Sequence, residues 1–139
     1  MADWIDCELT VLGDSLNTFE NNAKGNIQKY LGDEACWELL SFHKLYPVPR
    51  KFTGRYYNEV SYDWEIRHWG CKYGAKHSKI TKRTDDSLVY TFLVSNVPIN
   101  WLKRVSSDYP ELVFDFEYEN ELDFKNYRII IENGIVLIF

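Results

Sequence analysis

Two strand–helix–strand runs and an Asn-Gly hairpin signal predict an α+β fold: a ferredoxin-like sandwich, with helices on one face of an antiparallel sheet. The first run precedes residue 50 and the second follows residue 86. Between them, at about 50–86, lies an insert holding a tryptophan-rich helix, and a C-terminal β-hairpin closes the chain. At 139 residues, a single domain spanning 1–139 is expected.

Ile5, Cys7, Leu9 and Val11 alternate with Asp6, Glu8 and Thr10, the two-residue period of a half-buried strand. Gly13 ends it. Asp14 or Ser15 is placed to cap a helix by accepting from N–H groups left free in its first turn. Leu16, Phe19, Ala23, Ile27 and Tyr30 then recur at helical spacing as far as Gly32, with Gly25 a weak point inside. Trp37 to Leu45 is predicted as a second strand. Tyr46-Pro-Val-Pro49 stops it, because proline cannot donate to a ladder.

Residues 50–58 form a basic and aromatic loop. From about Asn58 helical spacing returns, with Val60 and Trp64 on one face and Tyr62, Ile66 and Trp69 on another. Gly70 falls where a helix closes in a left-handed turn. Cys71 to His77 continues as a turn or short strand, and 79–86 as a polar loop. Leu88 to Val94 is a β run of branched and aromatic residues. Pro98 opens a helix whose apolar stripe is Trp101, Leu102 and Val105, and Tyr109-Pro110 ends it. Leu112, Phe114, Phe116 and Tyr118 alternate with Val113, Asp115, Glu117 and Glu119, giving one buried and one mostly acidic face. Tyr127 to Glu132 and Ile135 to Phe139 flank Asn133-Gly134, a strong short-range hairpin signal.

The formal charge of −5 argues against a generic grip on nucleic acid, whose affinity comes mainly from neutralised phosphates. The charge is nevertheless polarised. Arg67, Lys72, Lys76, Lys79, Lys82 and Arg83 make the middle basic, whereas Asp108, Glu111, Asp115, Glu117, Glu119, Glu121 and Asp123 make the C-terminal third acidic. No run approaches the apolar length of a membrane span, and the first residues carry acid where a signal peptide would need cations. Cys7, Cys36 and Cys71 are isolated from one another and odd in number, as in a reduced cytoplasmic protein without a disulfide framework.

The densest stretch runs from Trp64 to His77: two tryptophans, a tyrosine, two glycines and two histidines among several cations. Together with Trp4 and its following strand, Leu40-Ser-Phe-His-Lys-Leu-Tyr-Pro-Val-Pro49, Asn96-Val-Pro-Ile-Asn-Trp-Leu102, Tyr109-Pro110 and Glu117-Tyr-Glu119, it resembles the YubB-like family with a ferredoxin-like domain. These are small proteins carried by phages, plasmids and integrated elements. In that family the junction usually continues Asn-Trp-Gly-Thr-Lys-Trp and an acid, where this chain has His68, Cys71, Tyr73 and Gly74 at the departing positions. The resemblance implies a fold and a mobile-element setting in a host cytoplasm; it brings no established activity.

Trp64, Arg67, His68, Trp69, Lys72 and Tyr73 are therefore candidate partner-binding residues, since Trp, Tyr and Arg dominate interface hot spots. The plainer alternative is that at least two of the three rings wedge the insert helix onto the sheet. His68, Cys71 and His77 lack a fourth ligand and the paired spacing zinc sites use, so no metal site is expected. Neither Cys71 nor Cys36 sits in a nucleophile signature, and no glycine-rich phosphate loop is present, so neither an enzyme nor a cofactor is expected. The cations from Arg50 to Arg83, interleaved with Phe52, Tyr56, Tyr57, Trp69 and Tyr73, suit single-stranded nucleic acid by stacking and phosphate contact, with a solvated basic face as the bland counterpart. Asp115, Glu117 and Glu119 suit a surface that imitates phosphates before a basic groove. The leading expectation is a non-enzymatic module that binds and inhibits a host defence protein, with an anti-CRISPR role as the concrete case. A nucleic-acid-binding accessory protein is the alternative. The apolar C-terminal strand is expected to suit pairing with a second copy.

Overall fold

Alternation of apolar and polar residues decides which way the sheet faces. Along β1 (Ile5–Leu12), Cys7, Leu9 and Val11 are buried while Asp6, Glu8 and Leu12 are exposed. The structure is a computed structural model describing residues 4–25, 27–28, 36–52, 59–120 and 122–138. Its other elements are α1 (Leu16–Ala23), β2 (Ile27–Gln28), β3 (Cys36–Trp37), α2 (Phe42–Leu45), α3 (Glu59–His68), β4 (Lys76–Arg83), β5 (Ser87–Val94), α4 (Ile99–Asp108), β6 (Val113–Glu119), β7 (Asn126–Glu132) and β8 (Ile135–Ile138).

Six strands form one antiparallel sheet in the order β4-β5-β1-β6-β7-β8, so the chain is an α+β protein with an open sheet. Leu9 stands opposite Tyr90 on one side and Phe116 on the other, which puts three large side chains in one layer. The helices cover this face. Phe19 of α1 meets Phe114 and Tyr90 edge-on at 5.5 and 6.3 Å, and Phe42 of α2 lies edge-on to Phe92 at 6.2 Å. Phe42 also stacks on Trp101 of α4 at 3.8 Å, and the Trp101 indole N–H donates to the Phe42 carbonyl at 3.2 Å. These rings are fully buried. Among the described residues no helix covers the other face.

The Asn133-Gly134 hairpin is formed as expected. Both residues have positive φ, as a two-residue turn between twisted strands requires, and Glu132 pairs with Ile135. β1, β5, β6 and α4 also lie where the sequence predicts them. Pro98 occupies the position just before the first helical residue.

Four expectations are corrected. The first helix ends at Ala23, because the chain turns back there: Gly25 N–H donates to Glu38 O and Ser41 N–H to Ala23 O, each at 2.7 Å. A Cβ at Gly25 would lie 3.0 Å from the Ser41 Cβ and 3.2 Å from the Glu38 Cβ, so this close approach favours glycine. Ile27 then falls in a two-residue strand opposite Trp37, and Tyr30 and Gly32 lie outside the described residues. The predicted strand Trp37–Leu45 is extended only at Cys36–Trp37; Ser41 accepts from Lys44 N–H at 3.0 Å and caps a helical turn instead. Ser15 precedes α1 without a side-chain capping bond. Last, most of the polar loop at 79–86 is strand β4, an edge strand in the sheet and not part of an insert. Of its residues only Ser78 and Ile80 are half-buried and the rest are exposed, so it carries almost no hydrophobic alternation. The basic loop at 50–58 begins with a short 3₁₀ turn, Arg50–Phe52, and residues 53–58 lie outside the described residues.

Candidate interaction surface

The tryptophan junction is built around one buried carboxylate. α3 ends at His68, and Gly70, with φ +92°, donates to the carbonyls of Glu65 and Ile66, each at 3.1 Å. The following turn places both Tyr73 and Gly74 at φ +69°, and a left-handed backbone is costly for a residue with a ring. Glu65, fully buried, offsets that cost: its carboxylate accepts the Tyr73 N–H at 2.9 Å. Burial pushes the Glu65 carboxyl above its ordinary range, and the Tyr73 N–H draws it part of the way back. Ser95 clamps the same turn, accepting from Lys72 N–H and donating to Lys72 O, both at 3.1 Å.

A group whose folded pKa is raised contributes stability that is complete below its unfolded pKa and is lost as pH rises through the folded value. Glu65→Gln keeps an oxygen for the Tyr73 N–H and removes the buried charge. The stability difference between this variant and the parent is expected to grow in the variant's favour from about pH 4.5 toward neutrality. Glu65→Ala also leaves the Tyr73 N–H without its acceptor and is expected to lie about 1–3 kcal/mol below Glu65→Gln at every pH. Thermal unfolding across a pH series reads both; parallel curves for parent and Glu65→Gln would refute the buried-charge account.

The predicted site residues separate. Trp69 is a core residue at 2% exposure, edge-on to Phe42 at 5.6 Å, with its indole N–H donating to Tyr46 O at 3.0 Å. Trp64 is half-buried and stacks on the His68 ring at 4.3 Å; the Nδ1 of His68 lies 2.9 Å from Trp64 O. Arg67 is exposed and paired with Asp63 at 3.3 Å. Tyr73, 47% exposed, reaches the surface, where it meets Tyr62 at 4.9 Å and Trp4 at 6.0 Å. The Lys76 ammonium lies 4.6 Å above Trp4 and that of Lys72 5.9 Å from Tyr62, both in cation–π range. Trp4, Tyr62, Tyr73, Lys72 and Lys76 thus form an aromatic and cationic corner beside the start of β4. Cys71 is fully buried and its thiol pushed up to about 12, chiefly by desolvation, so it is no thiolate at neutral pH.

The second candidate surface is the open face of the sheet. Asp115, Glu117 and Glu119 of β6 share it, as their alternation implies, and pairing with β1 adds Asp6 and Glu8, which the sequence reading left out. Glu8 stands directly opposite Glu117. Asp115 is neutralised by a two-pronged Arg128 contact at 2.6 and 2.9 Å, and Arg128 also approaches Glu117 at 3.9 Å. Among the described residues, Asp6, Glu8 and Glu119 have neither an ion pair nor a side-chain hydrogen bond. These acids line a recess of about 460 Å³, with His77 and Lys79 on its far wall. No aromatic ring stands on the open face of β1, β5 or β6.

Among the described residues no group of three or more His, Cys, Asp and Glu side chains is placed to hold a metal ion, and no helix is long and apolar enough to cross a membrane. Fold and surface define an α+β protein with one sheet face packed under helices and the other open, acidic along β1 and β6 and flanked by cations, Lys79 of β4 and Arg128 of β7. Comparison with known protein families, curated proteins and solved structures finds no match to this chain.

Proposed function

We propose that this chain is a non-enzymatic interaction module of a phage or other mobile element, which binds a basic groove on a host protein through the open face of its sheet. One observation carries the reading: Glu8 and Glu117 face each other on the adjacent central strands β1 and β6, with Asp6 and Glu119 beside them. Like charges directly opposite in a sheet are destabilising, and a fold keeps such a pair where a partner's cations offset it. A groove lined by cations to hold nucleic acid is the complementary chemistry, so a nucleic-acid-handling defence complex, such as a CRISPR effector, is the partner class proposed. Fold class belongs to the same proposal. The chain order β1-α1-β4-β5-α4-β6, with β5 lying between β1 and β4 and β1 lying between β5 and β6, supports a ferredoxin-like sandwich extended by the β7–β8 hairpin.

A tagged chain drawn through host lysate, with and without nuclease, tests the reading. A stoichiometric protein that survives nuclease supports it. Partners lost on nuclease treatment would replace it with the nucleic-acid reading, which rests on the corner of Trp4, Tyr62, Tyr73, Lys72 and Lys76. In that case binding to a labelled single strand is expected to fall steeply with salt and again with Lys72 and Lys76 replaced by alanine. Salt-independent retention would remove the second reading.

A further inference from the structure

We infer that the outer edge of β8, which pairs with no further strand among the described residues, is a self-association seam, joining two copies of this chain β8 to β8 across a two-fold axis. The sheet has two edges, and they differ in chemistry. β4 carries Lys76, Lys79, Lys82 and Arg83, and its register with β5 shifts twice. Charges and bulges of this kind blunt an edge against pairing. β8 reads Ile-Val-Leu-Ile, without a charge or a proline; its register with β7 shifts once, between Ile130 and Ile131, and Ile135 and Leu137 are 62% and 55% exposed. Such an edge presents unpaired backbone groups beside apolar side chains.

Charge and symmetry select the occupant. A strongly charged strand finds no counter-charge along β8, whereas a second β8 matches it. In antiparallel pairing about a two-fold axis at Val136, Val136 faces its own copy and Ile135 faces Leu137, so each of these positions meets an aliphatic residue of the other strand. Each copy carries −5 overall, and β8 lets two of them meet along an uncharged line. The interface is isologous and closes at two copies. Head-to-tail pairing of β8 with β4 would set aliphatic residues against four cations on a bulged edge, and would not close. The seam doubles the six-stranded sheet and leaves both open faces on the same side. Under the function proposed above the dimer is thereby bivalent, although the seam itself does not depend on that reading.

Sedimentation of the purified chain across a dilution series tests the seam. The expected mass is twice the 16.5 kDa of one chain, falling to that of one chain on dilution. Leu137→Lys, and separately Ile135→Lys, are expected to move the midpoint to about tenfold higher concentration or beyond, with the far-ultraviolet circular dichroism unchanged. Lys79→Glu on the opposite edge is expected to leave it in place. A parent chain that is monomeric throughout would overturn the seam, as would species growing past two copies or a Leu137→Lys protein that dimerises as the parent does. Each of these outcomes can occur whether or not a host partner is captured.

Discussion

Trp69→Ala is expected to lower the unfolding free energy by about 3–5 kcal/mol, the range for removing a large aromatic side chain from a core. The ring is 2% exposed and wedged between Phe42 and Trp64, at 5.6 and 6.0 Å, so its loss opens a cavity that the neighbours fill only in part. It also removes the donor to the Tyr46 carbonyl. The damage spreads because Phe42 is shared: the same ring stacks on Trp101 and meets Phe92, so α2, the junction and the sheet lose packing together. For a chain of this size the midpoint of thermal unfolding is expected to drop by roughly 10–20 °C. Trp64→Ala is the contrasting case. That ring is half-buried and rests on His68 and the edge of Tyr46, so about 1–2 kcal/mol is expected. Urea unfolding of the two variants separates the roles. Equal losses would mean that the junction is not divided into a core ring and a covering ring.

How far this division was legible in the sequence follows from where each ring sits. Helical spacing groups Trp69 with Tyr62 and Ile66, yet Ile66 is 44% exposed and Trp69 is buried. Trp69 lies one residue past the end of α3, where the chain is already turning at Gly70, so the helical period no longer sets its direction. Glycine marked that turn correctly; the buried carboxylate that holds it gave no local sign. β1, β5, β6 and the terminal hairpin were legible because alternation and an Asn-Gly turn are local signals. β4 was not, since an edge strand with bulges and exposed lysines has the composition of a loop. The acidic face was half legible. Glu117 and Glu119 follow from alternation on β6, but Asp6 and Glu8 join them only through the pairing of β1 with a strand more than a hundred residues later, which no local pattern encodes.

That pairing sets up the last expected result, in which stability and binding move in opposite directions. Glu8→Lys replaces a like-charge cross-strand pair with Glu117 by an opposite-charge pair, and Asp6 lies on the same face of β1. The variant is expected to be more stable than the parent by about 0.2–1 kcal/mol at low salt, with the gain shrinking as salt screens the pair. The same change is expected to weaken binding to a captured host protein by about tenfold or more, mainly through slower association, because it places a cation where the partner's groove carries cations. Reversing Glu117 and Glu119 together is expected to abolish capture. Asp115→Asn is expected to leave capture largely intact, since Asp115 already spends its charge on Arg128. Chemical denaturation and surface-based binding kinetics on the same preparations read both sides. A gain in stability with binding unchanged would make the Glu8–Glu117 pair a tolerated defect of a solvated sheet face, and the docking surface would have to be sought at the corner of Tyr73 and Trp4. A loss of stability would show that the two carboxylates are not in repulsion, and the reason for assigning the face to a basic partner would go with it.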